Sequence, residues 1–160
     1  MTTAWVPLAT VTVAGSTDAS ITFASIPSIY RDLIVVLDGT VTDFTNVLVS
    51  LNGDGASNYT RVSMTGTGSG SGSSNSGTHG GLYMAYAEPS QRVYAQMSVM
   101  DYSASDKNKT ALSRSHSSGY GVLAHALRWS NNNAVTTMTI ATLPSGAFNV
   151  GTTISIYGVN

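Results

Sequence analysis

A chain of 160 residues that is 42% hydrophobic but only 9% charged, with a single Glu and two Lys, has the makings of one domain with a real core and lacks the composition of a helical protein. Its net charge of −1, with five Arg scattered singly, forms no basic stripe, so nucleic acid is not expected as a partner. No cysteine is present, which excludes disulfides, thiol chemistry and Cys-based zinc sites, and no apolar run nears the ~20 residues of a membrane span, so no membrane partner is expected.

The start, Met1-Thr2-Thr3-Ala4-Trp5-Val6-Pro7, has neither a basic region nor a long apolar run. Synthesis in the cytoplasm without a signal peptide is therefore the expectation. Trp5–Val13 alternates as a first strand, and Pro7 assigns it to a sheet edge, since proline cannot donate a ladder hydrogen bond. Ser20–Ala24 reads as a second strand, with Ile21 and Phe23 on one side. Leu33–Leu37 is apolar throughout, as a central strand covered on both faces would be.

Val47–Leu51 alternates and then stops at Asn52-Gly53-Asp54-Gly55, whose residues tolerate positive φ. A hairpin is expected there, with Tyr59–Met64 as its second strand. Gly66–Gly81 holds seven Gly and five Ser and reads as a long loop within the single domain 1–160. Leu82–Ala87 and Arg92–Asp101 follow as strands. Val93, Ala95, Met97 and Val99 face one way in the second, and Arg92, Tyr94, Gln96 and Ser98 the other. Lys109–Ser117 is a polar strand that Ser118-Gly119-Tyr120-Gly121 reverses into Val122–Trp129. Val135–Leu143, with Met138 and Ile140 inward, and Thr152–Val159 complete the pattern. About ten or eleven short strands with turn signals between them predict an all-β, antiparallel β-sandwich of jelly-roll type.

Chemistry is sparse. Asn52–Asn58 has the faint look of a calcium loop, but position twelve counted from Asn52 is Ser63 rather than Glu, so a turn is the better reading. His116 and His125 are placed to approach each other across a hairpin, yet two histidines without a third ligand make a weak site. Ser115-His116-Ser117 is what a serine-rich chain offers by chance, and no Gly-x-Ser-x-Gly elbow or carboxylate pair stands out. The chain reads as a non-enzyme, with no catalytic residue, metal or cofactor. Tyr83, Tyr86, Tyr94 and Tyr102 cluster in the third quarter. Each is either an interface residue or a core-edge tyrosine with a wet hydroxyl.

Three stretches together resemble a family of small virion structural proteins of tailed bacteriophages. One is Ala4-Trp5-Val6-Pro7-Leu8 with Thr10–Val13; another is Ile21–Pro27 leading to Tyr30-Arg31-Asp32-Leu33. The third joins Leu51-Asn52-Gly53-Asp54 and Asn58-Tyr59 to the ending Ile154–Val159. Leu51 stands where the family pattern has an aromatic. The resemblance implies a β-sandwich located in the virion, either as a capsid cement or decoration protein or as a tail- or fibre-associated glycan-binding module. In the cement setting it implies contacts with a major capsid protein or another virion protein and a homo-oligomer, a trimer, since such proteins sit where three capsomers meet. Gly68, Ser71, Ser74 and His79 of the Gly/Ser segment, with Tyr83, Tyr86, Tyr94 and Tyr102, are the expected interface residues. Ordering a segment so poor in apolar side chains costs roughly 1–2 kcal/mol per residue, which a neighbouring surface would offset.

Overall fold

The computed structural model describes residues 5–160; Ala4, which opens the first motif of the resemblance, lies outside the described residues. Twelve strands run through them. They are β1 (Val6–Thr12), β2 (Ser20–Phe23), β3 (Asp32–Gly39), β4 (Thr45–Leu51), β5 (Tyr59–Gly66), β6 (Ser71–His79), β7 (Leu82–Ala87), β8 (Val93–Met100), β9 (Lys109–Ser117), β10 (Gly121–Trp129), β11 (Met138–Leu143) and β12 (Thr153–Val159). An eight-stranded sheet, β1-β12-β3-β8-β9-β10-β5-β6, faces a four-stranded sheet, β2-β11-β4-β7, and every strand pair is antiparallel. The chain mostly switches sheets from one strand to the next, so the expected jelly-roll sandwich is the fold.

Burial follows the period-two patterns. Leu33, Val35 and Leu37 of β3 and Val93, Ala95, Met97 and Val99 of β8 are sealed against Val47, Val49 and Leu51 of β4 and Met138 and Ile140 of β11. β3 lies inside the large sheet between β12 and β8, and β1 forms its edge with a register shift beside Pro7. Proline at an edge leaves no interior ladder position without its donor.

Three expectations need correction. The Gly/Ser segment is not a loop throughout: Ser71–His79 is a strand paired along β5, and only a short turn around Thr67–Gly70 joins the two. Thr67 N–H donates to Gly70 O at 2.9 Å, and Gly68 adopts φ +84°, which glycine accepts without a Cβ clash. Backbone ladder bonds therefore offset the ordering cost that had seemed to require a neighbour.

Asn52–Asn58 does not close a hairpin either. β4 and β5 belong to different sheets, so this turn is a corner that carries the chain from the small sheet to the large one. The turn itself is tight, with Asn52 at φ +52°, Gly53 at φ +69° and Asp54 N–H bonded to Leu51 O at 3.0 Å. Lastly, His116 and His125 do not approach each other. β9 and β10 do form the expected hairpin, but His116 is opposite Val122 on the outer face and His125 opposite Ser113 on the inner face.

Candidate functional site

The work of the motif residues is structural. Asp54 accepts from Trp129 Nε1 at 2.7 Å, Asn58 Nδ2 at 3.0 Å and the Ala56 amide at 2.9 Å. Those donors hold its carboxyl below the usual carboxylate range, the bond from Asn58 contributing most. Tyr59 stacks on Trp129, donates its hydroxyl to Asp54 O at 2.9 Å and accepts from Leu51 N–H at 3.0 Å. Burial pushes its phenol up to about 12. Asn52 pins the β10–β11 connection by donating to Ala134 O and accepting from the Thr136 and Thr137 amides. The Asn-Gly-Asp…Asn-Tyr stretch is thus a sheet-to-sheet corner whose carboxylate is already engaged. At the chain's end Trp5 packs on Tyr157, and the Tyr30 ring lies so close to Gly158 that it leaves no room for a Cβ there.

The eight expected interface residues do not form one patch. Tyr102 is fully buried, with its hydroxyl bonded to Pro27 O, so it belongs to the core and offers no interface. Tyr83 lies at the edge of the small sheet: the Arg61 guanidinium sits 3.6 Å from its ring centroid, and His79 meets it edge-on at 5.0 Å. That contact holds His79 over the sandwich interior rather than out in solvent. Tyr86 packs on Tyr120 of the β9–β10 turn at 4.5 Å between ring centroids. Gly68 is exposed in the β5–β6 turn, and Ser74 is exposed on β6. His79 and Tyr83 meet each other, and Tyr94 and Ser71 line opposite ends of one groove on the outer face of the large sheet.

That groove is an open cavity of about 880 Å³, within the range of ligand-binding clefts. It crosses β8, β9, β10, β5 and β6. One row of its wall, set by strand register, is Tyr94, His116, Val122, Gly66 and Ser71. The next is Gln96, Arg114, Ala124, Met64 and Ser73, in which Arg114 Nη2 donates to Gln96 Oε1 at 2.7 Å. Below it, Ala126 stands between Val62 and Leu112. Met64 is 66% exposed, Leu112 55%, Val122 54%, Val62 49% and Tyr94 46%. These are half of the ten large hydrophobic residues exposed among the described residues, gathered on one face. Solvent-facing positions on a half-buried strand are usually polar, so such a face marks an interaction surface.

The inner face of the same strands sets a row of polar side chains among buried Tyr59, Leu123, Leu127 and Trp129. Ser113, Ser115 and Ser117 of β9, Ser63 and Arg61 of β5 and His125 of β10 point into the sandwich. Ser63 Oγ and His125 Nδ1 are 2.8 Å apart, and Ser113 Oγ donates to Tyr83 O at 2.9 Å. Burial first, then the Arg61 charge, pull His125 down to about 4. Which face of these strands lies inside is not written in the sequence, because that requires knowing which face the small sheet covers.

No family model matches the chain, and no curated protein matches it. Among solved structures it is similar to a marine alginate lyase from Aplysia kurodai, at 12% identity and a TM-score of 0.42, over 84% of this chain and 71% of that one. It is also similar to galectin LEC-6 from Caenorhabditis elegans, at 11% identity and a TM-score of 0.27, over 96% of this chain and 90% of that one. The SPRY domain of human HERC1 aligns at 8% identity with a TM-score of 0.27, over 88% of this chain and 99% of that domain. Likenesses this weak carry no argument about what the chain does.

Proposed function

We propose that this chain is a bacteriophage virion structural protein of the capsid-cement kind, which stabilises the shell through non-catalytic protein–protein contacts. The observation that carries this reading is the outer face of β5, β8, β9 and β10, where Val62, Met64, Leu112, Val122 and Tyr94 are exposed together. The motif resemblance supplies the setting. A protein that binds only the assembled shell shifts the equilibrium toward assembly by mass action, and no reacting group is needed. In this reading copies gather as trimers at capsomer junctions, with the β5–β6 turn at Gly68 near the subunit contact. Imaging of purified particles tests it: density for this fold on the head is the expected result, and density confined to the tail would overturn it.

A second reading, a tail- or fibre-associated glycan-binding module, is favoured by one feature. Tyr94, Gln96, Arg114 and His116 place an aromatic ring and hydrogen-bonding groups side by side at one end of the groove. A glycan array with the purified protein separates the two readings, since a cement protein needs no sugar.

A further inference from the structure

The groove's chemistry says more than that something docks there. β5, β8, β9 and β10 contain no Asp or Glu at all, while their outer face carries Arg114, Arg128 and His116. Both carboxylates of the neighbouring strand β3 are taken, Asp38 opposite Tyr94 by Arg92 at 2.6 Å and Asp32 by Arg31 at 2.7 Å. Arg114 binds a neutral amide and, among the described residues, no carboxylate, so most of its donor fork remains available. The face is therefore apolar, cationic and free of acid, and it is concave.

These features narrow the occupant. Two copies docked through this same face would set Arg114 and Arg128 against a surface with no carboxylate to receive them, which disfavours self-association here. Sugar rings present hydroxyls on most edges, and Met64, Val122 and Ala124 offer nothing to bond them. A bilayer is met by a protruding apolar face rather than a hollow one. From β8 to β6 the groove crosses four inter-strand spacings of ~4.8 Å, roughly 19 Å in all, which an extended segment of about six residues spans.

We propose that the groove receives an extended, acidic segment of a partner protein. One of its carboxylates is forked by Arg114 beside His116, and its apolar side chains lie on Met64, Val122 and Tyr94. Bidentate Arg–carboxylate pairing fixes register, and the apolar contacts supply most of the affinity. This deepens the assembly reading of the same face and rests on it only for the partner's setting; the chemistry stands on the groove.

The test is a fluorescence-polarisation titration of the full chain. The probes are two labelled peptides of roughly eight residues, long enough for the groove. One alternates glutamate with valine and the other alternates lysine with valine. The acidic peptide is expected to bind at least about tenfold more tightly, with affinity falling as salt rises. Arg114→Gln and Met64→Asp are each expected to weaken it about tenfold without moving the melting temperature, since both side chains are exposed. Equal or tighter binding of the basic peptide, affinity unchanged in both variants, or no binding of either peptide would overturn the proposal. So would Arg114-dependent binding to anionic phosphatidylserine vesicles or to a glycan array in place of the acidic peptide. If the acidic peptide binds but the protein is missing from particles, the virion reading fails and the groove assignment stands. If particles carry the protein and Arg114→Gln leaves its occupancy intact, the reverse holds.

Discussion

The two ends of the large sheet differ in what they bury. Under β2, β11 and β4, strands β12, β3 and β8 send Ile154, Ile156, Leu33, Val35, Leu37, Val93 and Met97 inward, all of them buried. At the other end the small sheet stops at β7 while the large sheet continues through β10, β5 and β6. There the interior mixes Tyr59, Ala111, Leu123, Leu127 and Trp129 with Ser63, Ser113, Ser115, Ser117, Arg61 and His125, and further apolar side chains stand outside. Ser115 Oγ, Ser117 Oγ, His125 Nε2 and Arg61 Nε are buried without a hydrogen-bond partner among the described residues. The first end is where folding free energy is stored. The second buries polar groups beside its apolar ones and has an apolar face left over for something else.

The contrast can be broken by substitution, and the effects should scale with it. At the closed end, Leu37→Ala should cost about 3 kcal/mol through lost burial and an unfilled cavity. For a chain of this size that lowers the melting temperature by roughly 6–12 °C in a thermal scan.

At the open end, His125 predicts a pH effect. Its pKa is about 4 when folded against an ordinary 6.5, so between those values the unfolded chain binds the extra proton. Stability from this group is complete above about pH 6.5 and is lost as pH falls toward about 4, a total of roughly 2–3 kcal/mol. Half-buried His79, also shifted down by burial, adds to the loss in the same direction. His125→Gln should flatten the denaturant-derived stability profile across that window. An unchanged slope would mean that His125 meets solvent more than its 4% exposure indicates.

Asp54→Ala, at the corner between the sheets, leaves Trp129 Nε1 and Asn58 Nδ2 without their acceptor and should cost about 2 kcal/mol. Because the folded carboxyl is held low, its contribution is present above its unfolded pKa and fades as pH falls through the folded one. An acid-unfolding curve of the variant should therefore be less steep than that of the parent. The smallest effect belongs to the outer face: Leu112→Ser should move stability by no more than about 0.5 kcal/mol. A large loss there would show that the face is held within the chain and is not spare.

The sandwich was legible in the sequence because strand alternation, turn dipeptides and the scarcity of Glu and Lys all point the same way. Pro7 placed β1 at an edge, and Met138 and Ile140 were assigned inward, as they lie. What escaped depends on partners distant in the chain. β6 was hidden because Gly and Ser have low strand propensity, and only its ladder to β5 orders it. The corner at Asn52–Asn58 looked like a hairpin because its backbone is a true tight turn; which sheet each flank joins is not written locally. Tyr102 was grouped with Tyr94 because the two are close in sequence, yet one hydroxyl reaches Pro27 inside while the other ring faces the groove. The apolar outer face escaped for the same reason: alternation alone does not say which side of β5, β9 and β10 the small sheet covers.

The central claim is that this leftover face is an assembly surface, and one measurement meets it directly. Particles made with the Val62→Asp, Leu112→Asp double variant would be compared with parental particles for copies of this protein per particle, alongside melting curves of the free chains. Occupancy should collapse while the free chain melts within roughly 2–4 °C of the parent. Full occupancy by the stably folded variant would contradict the account and move the contact to another face of the sandwich.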